Sequence, residues 1–483
     1  MIYKLNIQQI NNKFVADGII DLESGELMDF ATFLNLNGQV YVTNLSLGYS
    51  DIARELFKLG MQSTYVAENQ GEFSLSYKDG DCLNMNIIFE DHSLKIINFE
   101  KKFLQDFDEV GIENAKLLIN YAESKGRTAV SLGADAFNEF LSKTFKVKGR
   151  ELHAHIVRSF YRNNLPVITE SMLDEAKSMT SGFQFSRAGY YYNLQSYDIS
   201  KSYASQLIND LPIGMPKEFK SLAKVPESYF YVVRMTYFDI KVKDGCIDFA
   251  NVDGKNVKTL VLTEHLHKLF ESNYKYSLKM VKRVLAFKTR RAMCHNFIKS
   301  NVLDTNLPPV LVKYNKAIAN SIVGYFGKNR RIVRSKITHG RHGYKMDFIA
   351  EDSEPVYLPI YLYVTGKAKS EFITMLQNIG LNHVIYANTD GLLTDNTLDD
   401  SWLNFGRHKA IGIYKHKGTF SEIYIECVNG YCGQLTTGEL DNTLSGMRLL
   451  TPLTAKQYQE GHFDYILNEY MSDGYIHQHI IHR

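Results

Sequence analysis

His383-Val384-Ile385-Tyr386-Ala387-Asn388-Thr389-Asp390-Gly391-Leu392-Leu393-Thr394 is the stretch around which the rest of the chain is read. Two β-rich arms, Val384 to Tyr386 and Leu392 to Thr394, flank the turn formers Asn388, Asp390 and Gly391. The pattern predicts a tight β-hairpin. A carboxylate at such a tip is held rigidly outside the sheet, where it can present a metal ligand to a substrate lying across the hairpin. The same residues also describe an ordinary solvated turn. Three upstream stretches favour the ligand.

The first is Ser196-Tyr197-Asp198-Ile199-Ser200-Lys201-Ser202-Tyr203-Ala204-Ser205. A carboxylate at a strand end, followed by a turn and a helix start, can ligate a hard cation such as Mg²⁺, although Asp is also a favoured helix N-cap. With Asp390 it would form a pair suited to holding two metal ions about 4 Å apart for in-line phosphoryl transfer. The second is the helical segment Lys313 to Gly324, where Lys316, Asn320 and Gly324 share one face at i, i+4, i+8, with Lys313 one turn earlier. An ammonium, an amide and a bare backbone suit a nucleoside triphosphate against a base pair; a solvated amphipathic face would look the same. The third is a basic run, Lys328, Arg330, Arg331, Arg334, Lys336, His339, Arg341, His342 and Lys345, with no acid before Asp347. Such a patch binds phosphate backbone without reading sequence. Lys282, Arg283, Lys288, Arg290 and Arg291 form a second group.

Composition sets the bounds. The 483 residues are 45% hydrophobic and 22% charged, with a formal net charge of +2, so local patches rather than bulk charge decide whether nucleic acid is a partner. No apolar run reaches membrane-spanning length, and the N-terminus has no signal-type apolar core. Five cysteines without such a leader imply a reducing, cytoplasmic compartment and free thiols. Cys427 and Cys432 are expected to face each other across an Asn429-Gly430 turn, where a cross-strand disulfide is conceivable. Residues 1 to about 100 read as strands with one helix, Asp51 to Leu59; Asp106 to Phe145 reads as helical. Further helices are expected over Thr263–Tyr274, Leu311–Gly324, Val364–Ile379 and Ala455–Tyr465. His477-Gln478-His479 with His482, and His153-Ala154-His155, are weak metal signals. There is no P-loop, dinucleotide fingerprint or zinc-type cysteine spacing.

Taken together and in this order, these stretches resemble the family B DNA polymerases of the compact protein-primed type, from phages and linear plasmids. The motif D-x-x-S-x-Y-P is met by Asp198 to Ala204, K-x-x-x-N-S-x-Y-G by Lys316 to Gly324, and Y-x-D-T-D-S by Tyr386 to Gly391. Thr128 to Phe140 is similar to the family's connecting helix. Ser181-Gly182-Phe183 falls at its Y-x-G-G template-binding loop, Leu262 to Tyr274 at the approach to the fingers, and the basic run at its strand-displacement insertion. The resemblance implies an α/β (α+β) chain: an exonuclease-like (RNase H-like) N-terminal domain plus a right-hand polymerase. The expected divisions are 1–125 exonuclease-like, 126–190 linker and template-binding region, 191–260 first part of the palm, 261–326 fingers, 327–356 basic insertion, 357–415 second part of the palm and 416–483 thumb.

By resemblance, Asp198 and Asp390 are the metal ligands, with the Ile199 carbonyl, for two Mg²⁺ ions that Mn²⁺ could replace. Lys316, with Lys313, grips the triphosphate; Asn320 lines the nucleotide pocket; Tyr203 stacks under the sugar and excludes a 2′-hydroxyl. Gly182, Gly324, Arg330, Arg331, Arg334, Tyr386, Thr389 and Tyr431 are the expected DNA contacts. The implied partners are primer-template DNA, dNTPs and a terminal protein primer. A monomer, free of membrane, working in a host cytoplasm if phage-encoded, is expected.

The departures are specific. Asn388 replaces the first aspartate of the third motif, Lys201 and Ala204 stand where serine and proline are expected, and Val323 replaces a tyrosine. A primer-gripping K-x-Y falls at Asn429-Gly430-Tyr431, without its lysine. In the N-terminal domain the exonuclease's D-x-E is placed at Asn6-Ile7-Gln8, its second aspartate at Gly48, after Thr43 to Leu47, and its third at Asn114. Amides and glycine make poor Mg²⁺ ligands, so the expected domain keeps the fold without proofreading. A rival placement at Asp21-Leu22-Glu23 leaves the other two positions empty. The alternative functions are a weakened, polymerase-like DNA-binding replication subunit and, more remotely, a primase or untemplated nucleotidyl transferase.

Overall fold

The strands Val384–Asn388 and Gly391–Thr394 form the expected hairpin, pairing Ala387 with Leu392 and Asn388 with Gly391. The structure, a computed structural model, describes residues 1–10, 13–78, 81–129, 131–145, 167–291, 293–303, 306–328, 331–340, 343–352, 357–398, 411–444, 448–449, 451–470 and 476–482. The hairpin lies in a sheet ordered Leu440–Leu444, Gly430–Leu435, Tyr414–Cys427, Gly189–Ile199, Gly391–Thr394, Val384–Asn388 and Gln184–Ser186. Its arms are mostly apolar because both faces are covered. On one face Ala387, Leu392 and Tyr197 pack on Phe372, Met375 and Leu376 of the helix Leu358–Ile379. On the other, Ile385 and Leu393 join Leu194, Phe420 and Ile423.

A second, larger sheet holds the N-terminal strands. Its centre is parallel: Ile2–Ile10 pairs with Gly38–Thr43, which pairs with Ser93–Asn98. Helix Leu45–Lys58 covers it with Tyr49, Ile52, Ala53 and Leu56. This helix starts well before the expected Asp51: Asn44, in the left-handed region at φ +61°, ends the strand. The buried Ser46, Gly48 and Ser50 hid its apolar period. Two distant segments extend the sheet. The basic run forms strands Arg331–Gly340 and Gly343–Asp352, joined to the sheet where Ser335 pairs with Leu75. Strands Asp464–Tyr470 and Ile476–His482 join at the other edge through Lys13 and His479.

Helix Pro309–Phe326 buries Tyr314, Ile318 and Ile322 in a core shared with Phe137 and Phe140 of helix Leu132–Phe145. Buried Arg127 orients the joint. Its guanidinium donates to Glu139 Oε2 at 2.7 and 3.0 Å, to Asn315 Oδ1 at 2.8 Å and to Asn301 Oδ1 at 2.5 Å. Because Asn315 is held inward, the next residue, Lys316, is turned to solvent.

Other boundaries moved for local reasons. The helix expected over Ala455–Tyr465 stops at Glu460, where Gly461 adopts φ +75°, and the strand Asp464–Tyr470 follows. Helix Leu358–Ile379 begins six residues before the expected Val364, with Pro359 in its first turn. A helix also occupies Val167–Met179, for which no helix is expected from the sequence. Cys427 and Cys432 do not face each other: Cys427 pairs with Gly430 and Cys432 with Tyr424, and both thiols are free. Among the described residues no helix is long and apolar enough to cross a membrane.

Candidate active site

Asp198 and Asp390 come together from segments far apart in sequence. Asp198 is next to last in the strand Gly189–Ile199 and pairs with Gly391, so the hairpin tip lies beside it; the Ile199 amide donates to the Asp390 carbonyl at 3.1 Å. Burial, then the charge of Asp198, pushes the Asp390 carboxyl up to about 7, against the opposing charges of Lys316 and Lys417. Two close, half-buried carboxylates repel each other and lack the solvation they would have in water. A hard cation relieves both costs, and carboxylates with a backbone carbonyl are the oxygen donors such a cation takes. The donor set therefore fits Mg²⁺.

Cationic side chains surround the pair. Lys417 Nζ lies 3.5 Å from Asp198 Oδ2. Lys201, whose ammonium donates to the Val302 carbonyl at 2.6 Å, has its pKa lowered by burial and then by Lys415 and Lys316. Lys316 and Lys417 thus oppose the charge of Asp390, and Lys201 stands near Lys316 and Lys415. Lys417 was not singled out from the sequence; its only signal is its place in Lys415-His416-Lys417, on the strand next to Asp198. Tyr203 is half-buried beside the aspartate pair: burial, then Asp390, pushes its phenol up to about 12. Tyr414, also unforeseen, is buried near both aspartates and raised further.

The tip has a second ring of contacts. Thr389 adopts φ +60°, its amide donates to the Phe183 carbonyl at 2.9 Å, and a Cβ on Gly182 would stand 2.5 Å from Thr389 Oγ1. Glycine at 182 thus allows the loop to close over the tip. Tyr386 and Tyr431 meet edge to face, with centroids 5.4 Å apart. Asn388 Nδ2 donates to Asn429 Oδ1 at 2.5 Å. Asn320 and Gly324 continue the solvent-facing side of the helix beyond Lys316.

Lys313 is set apart. It lines a cleft of about 500 Å³ with Asn44, Asp81, Asn98 and Lys101 of the N-terminal module. Arg334 sits half-buried in the basic strand pair, Arg331 begins it, and Arg330 lies outside the described residues. His153 and His155 also lie outside them. His482 pairs with Asp464 at 2.7 Å, and among the described residues no group of three His, Cys, Asp or Glu is placed to hold a metal.

The residues placed at the exonuclease positions do not come together. A Cβ on Gly48 would stand 2.8 Å from Ala16 Cβ, 3.0 Å from Leu5 Cδ1 and 3.4 Å from Ile7 Cδ1. Gly48 therefore faces residues 5 and 7. Asn6 and Gln8 point to the opposite face of the strand, where both amides donate to Asp17, the Asn6 contact at 2.7 Å. The structure thus brings Leu5 and Ile7, and not Asn6 and Gln8, to Gly48. Asn114 is exposed, and its amide donates to the Val110 carbonyl at 3.0 Å.

The chain is 22% identical over 468 residues to the DNA polymerase of Bacillus phage phi29, a match covering 89% of this chain and 76% of the relative. It is 27% identical over 262 residues to the DNA polymerase of Streptococcus phage Cp-1, covering 48% of this chain and 45% of that one. No family model matches. The fold superimposes on phi29 DNA polymerase complexed with primer-template DNA and incoming nucleotide at a TM-score of 0.77 and 14% identity, over 100% of this chain and 99% of that one. The likeness, in sequence and in fold, is to the protein-primed family B DNA polymerases. The same polymerase bound to primer-template DNA alone matches at a TM-score of 0.76 and 15% identity, covering 100% of both chains. The mixed α/β architecture, with an exonuclease-type module ahead of palm, fingers and thumb, is that fold.

Proposed function

We propose that this chain is a template-dependent DNA polymerase that joins dNTPs to a primer 3′-hydroxyl, or to a terminal protein's hydroxyl at initiation, and that it does not proofread. The observation that carries this reading is the pairing of Asp198 with Asp390 at the strand-to-hairpin junction, inside a group of lysines. Asp198, Asp390 and the Ile199 carbonyl would hold two Mg²⁺ ions, which lower the pKa of the attacking hydroxyl and neutralise the leaving diphosphate. Lys316 orients the triphosphate from the solvent-facing side of its helix, and Asn320 meets the sugar and base. Tyr203, held beside Asp390, supports the sugar and leaves no room for a 2′-hydroxyl. Gly182, Gly324, Tyr386, Thr389 and Tyr431 line the path of the base pair and primer. Arg330, Arg331 and Arg334 meet the DNA backbone.

Leu5 and Ile7, packed on Gly48, support the absence of proofreading, and the buried carboxylate beside them, Asp51, is already held by the Ala16 amide at 2.9 Å and by Arg54 at 3.0 Å. The expected divisions of the chain, a monomeric state and action in the host cytoplasm belong to the same proposal. The test is single-nucleotide incorporation on primer-templates that differ in one templating base. Addition of the complementary dNTP alone, dependent on Mg²⁺ or Mn²⁺, is expected. DNA binding without incorporation in either metal would replace this reading with a DNA-binding replication subunit. Addition without regard to template would favour an untemplated transferase.

A further inference from the structure

Two of the chain's departures from the resemblance touch each other. Asn388 stands where an acid is expected and Asn429 where a lysine is expected. Asn388 Nδ2 donates to Asn429 Oδ1 at 2.5 Å, across 41 positions of sequence. Asn388 Oδ1 in turn accepts from Gln184 Nε2 at 3.2 Å and from Thr389 Oγ1 at 3.3 Å. The Asn429 amide donates to Tyr386 Oη at 3.3 Å.

Each asparagine belongs to a turn with left-handed backbone. Thr389 and Asn429 both adopt left-handed backbone, at φ +60° and +57°; Asn429 does so in a favoured Asn-Gly turn, whereas the β-branched Thr389 needs surrounding contacts to hold it. The first turn carries Asp390. The second leads into Gly430–Leu435, which carries Tyr431. The contact thus links the carboxylate tip to the turn expected to meet the primer. Replacing an acid at one end of a contact and a base at the other removes one negative and one positive charge. The local sum beside Asp198 and Asp390 is unchanged.

We infer that Asn388 and Asn429 form a single positioning unit, a neutral clasp that fixes the Asp390 tip against the primer-side turn, and that their two departures compensate each other. Neither residue touches a reacting atom. The inference rests on the polymerase reading for its kinetic consequence but not for its structural one.

The test is a double-mutant cycle of Asn388→Ala and Asn429→Ala, read both by thermal melting and by single-nucleotide incorporation. Each single change should lower kcat/KM about 10-fold, mainly through kcat and the KM for primer rather than the KM for dNTP. The double change should cost about the same 10-fold rather than about 100-fold, because one contact is lost once. The melting shifts should likewise fail to add. Asn429→Lys alone should impair incorporation, and Asn388→Asp with Asn429→Lys should restore it to within about 3-fold of the parent, by rebuilding the clasp as an ion pair. Additive costs in both readouts, or no rescue, would overturn the inference. If the parent incorporated nothing, the polymerase reading would fail while the melting cycle still decided whether the clasp exists.

Discussion

The palm sheet and the N-terminal sheet each have a place where side chains from a strand and from a neighbouring turn or helix converge, and the two places are filled in opposite ways. In the palm, Asp198 and Asp390 are half-buried side by side, at a cost plain in the carboxyl of Asp390, raised to about 7. In the N-terminal sheet, Leu5, Ile7 and Ala16 close on Gly48, and the polar Asn6 and Gln8 are turned to the other face to hold Asp17. A like-charge pair held out of water weakens a fold. On the proposed function, binding a cation offsets that weakness in the palm. In the N-terminal sheet the corresponding side chains pack as ordinary core.

The comparison breaks first at the palm. Asp198→Ala or Asp390→Ala should lower incorporation on the order of 10³-fold or more, with primer-template binding retained in a gel-shift assay. Incorporation retained within about 10-fold by either variant would remove the pair from the chemistry. The next test is Gly48→Asp, which returns an acid to the N-terminal site. Its Cβ already lacks room, and its carboxylate would be buried without a partner, so a loss of roughly 3 kcal/mol or more is expected in chemical denaturation. A stable Gly48→Asp variant that degraded single-stranded DNA would show a recoverable nuclease site.

The pH dependence sharpens the contrast. The folded-state pKa of Asp390 is raised, so the stability it contributes is full below the ordinary carboxylate range and is lost as pH rises toward about 7. With divalent ions chelated, the melting temperature should fall over that window, and Asp390→Asn should flatten the fall. Added Mg²⁺ should oppose it by favouring the carboxylate. The smallest effect is expected from Asn6→Asp, which sets a second carboxylate against the exposed Asp17. It should cost about 0.5–1 kcal/mol at neutral pH and less in acid, where the carboxylates protonate.

What the sequence made legible was local. The hairpin was readable because turn formers sit between β-rich arms, and the Lys316, Asn320 and Gly324 face because helical spacing survives in the letters. The strand end at Asp198 was readable for the same reason. Lys417 was not, because its meeting with Asp198 joins residues on opposite sides of a long insertion in the sheet. The basic strands were hidden because of their interior residues only Ser335 and Ile337 are deeply buried among those described, too few to mark an apolar alternation. Moving a strand by one residue exchanges its faces, and the letters alone do not show that Leu5 and Ile7, rather than Asn6 and Gln8, turn toward Gly48. Only the packing of Gly48 identified the face.

One reaction tests both halves of the account together. A 5′-labelled primer annealed to template is incubated with the protein and Mg²⁺, once with all four dNTPs and once with none. The account predicts extension of the primer in the first case and an unshortened primer in the second. Shortening without dNTPs would contradict the proposal that the N-terminal module does not proofread, and no extension with dNTPs would contradict the polymerase reading of Asp198 and Asp390.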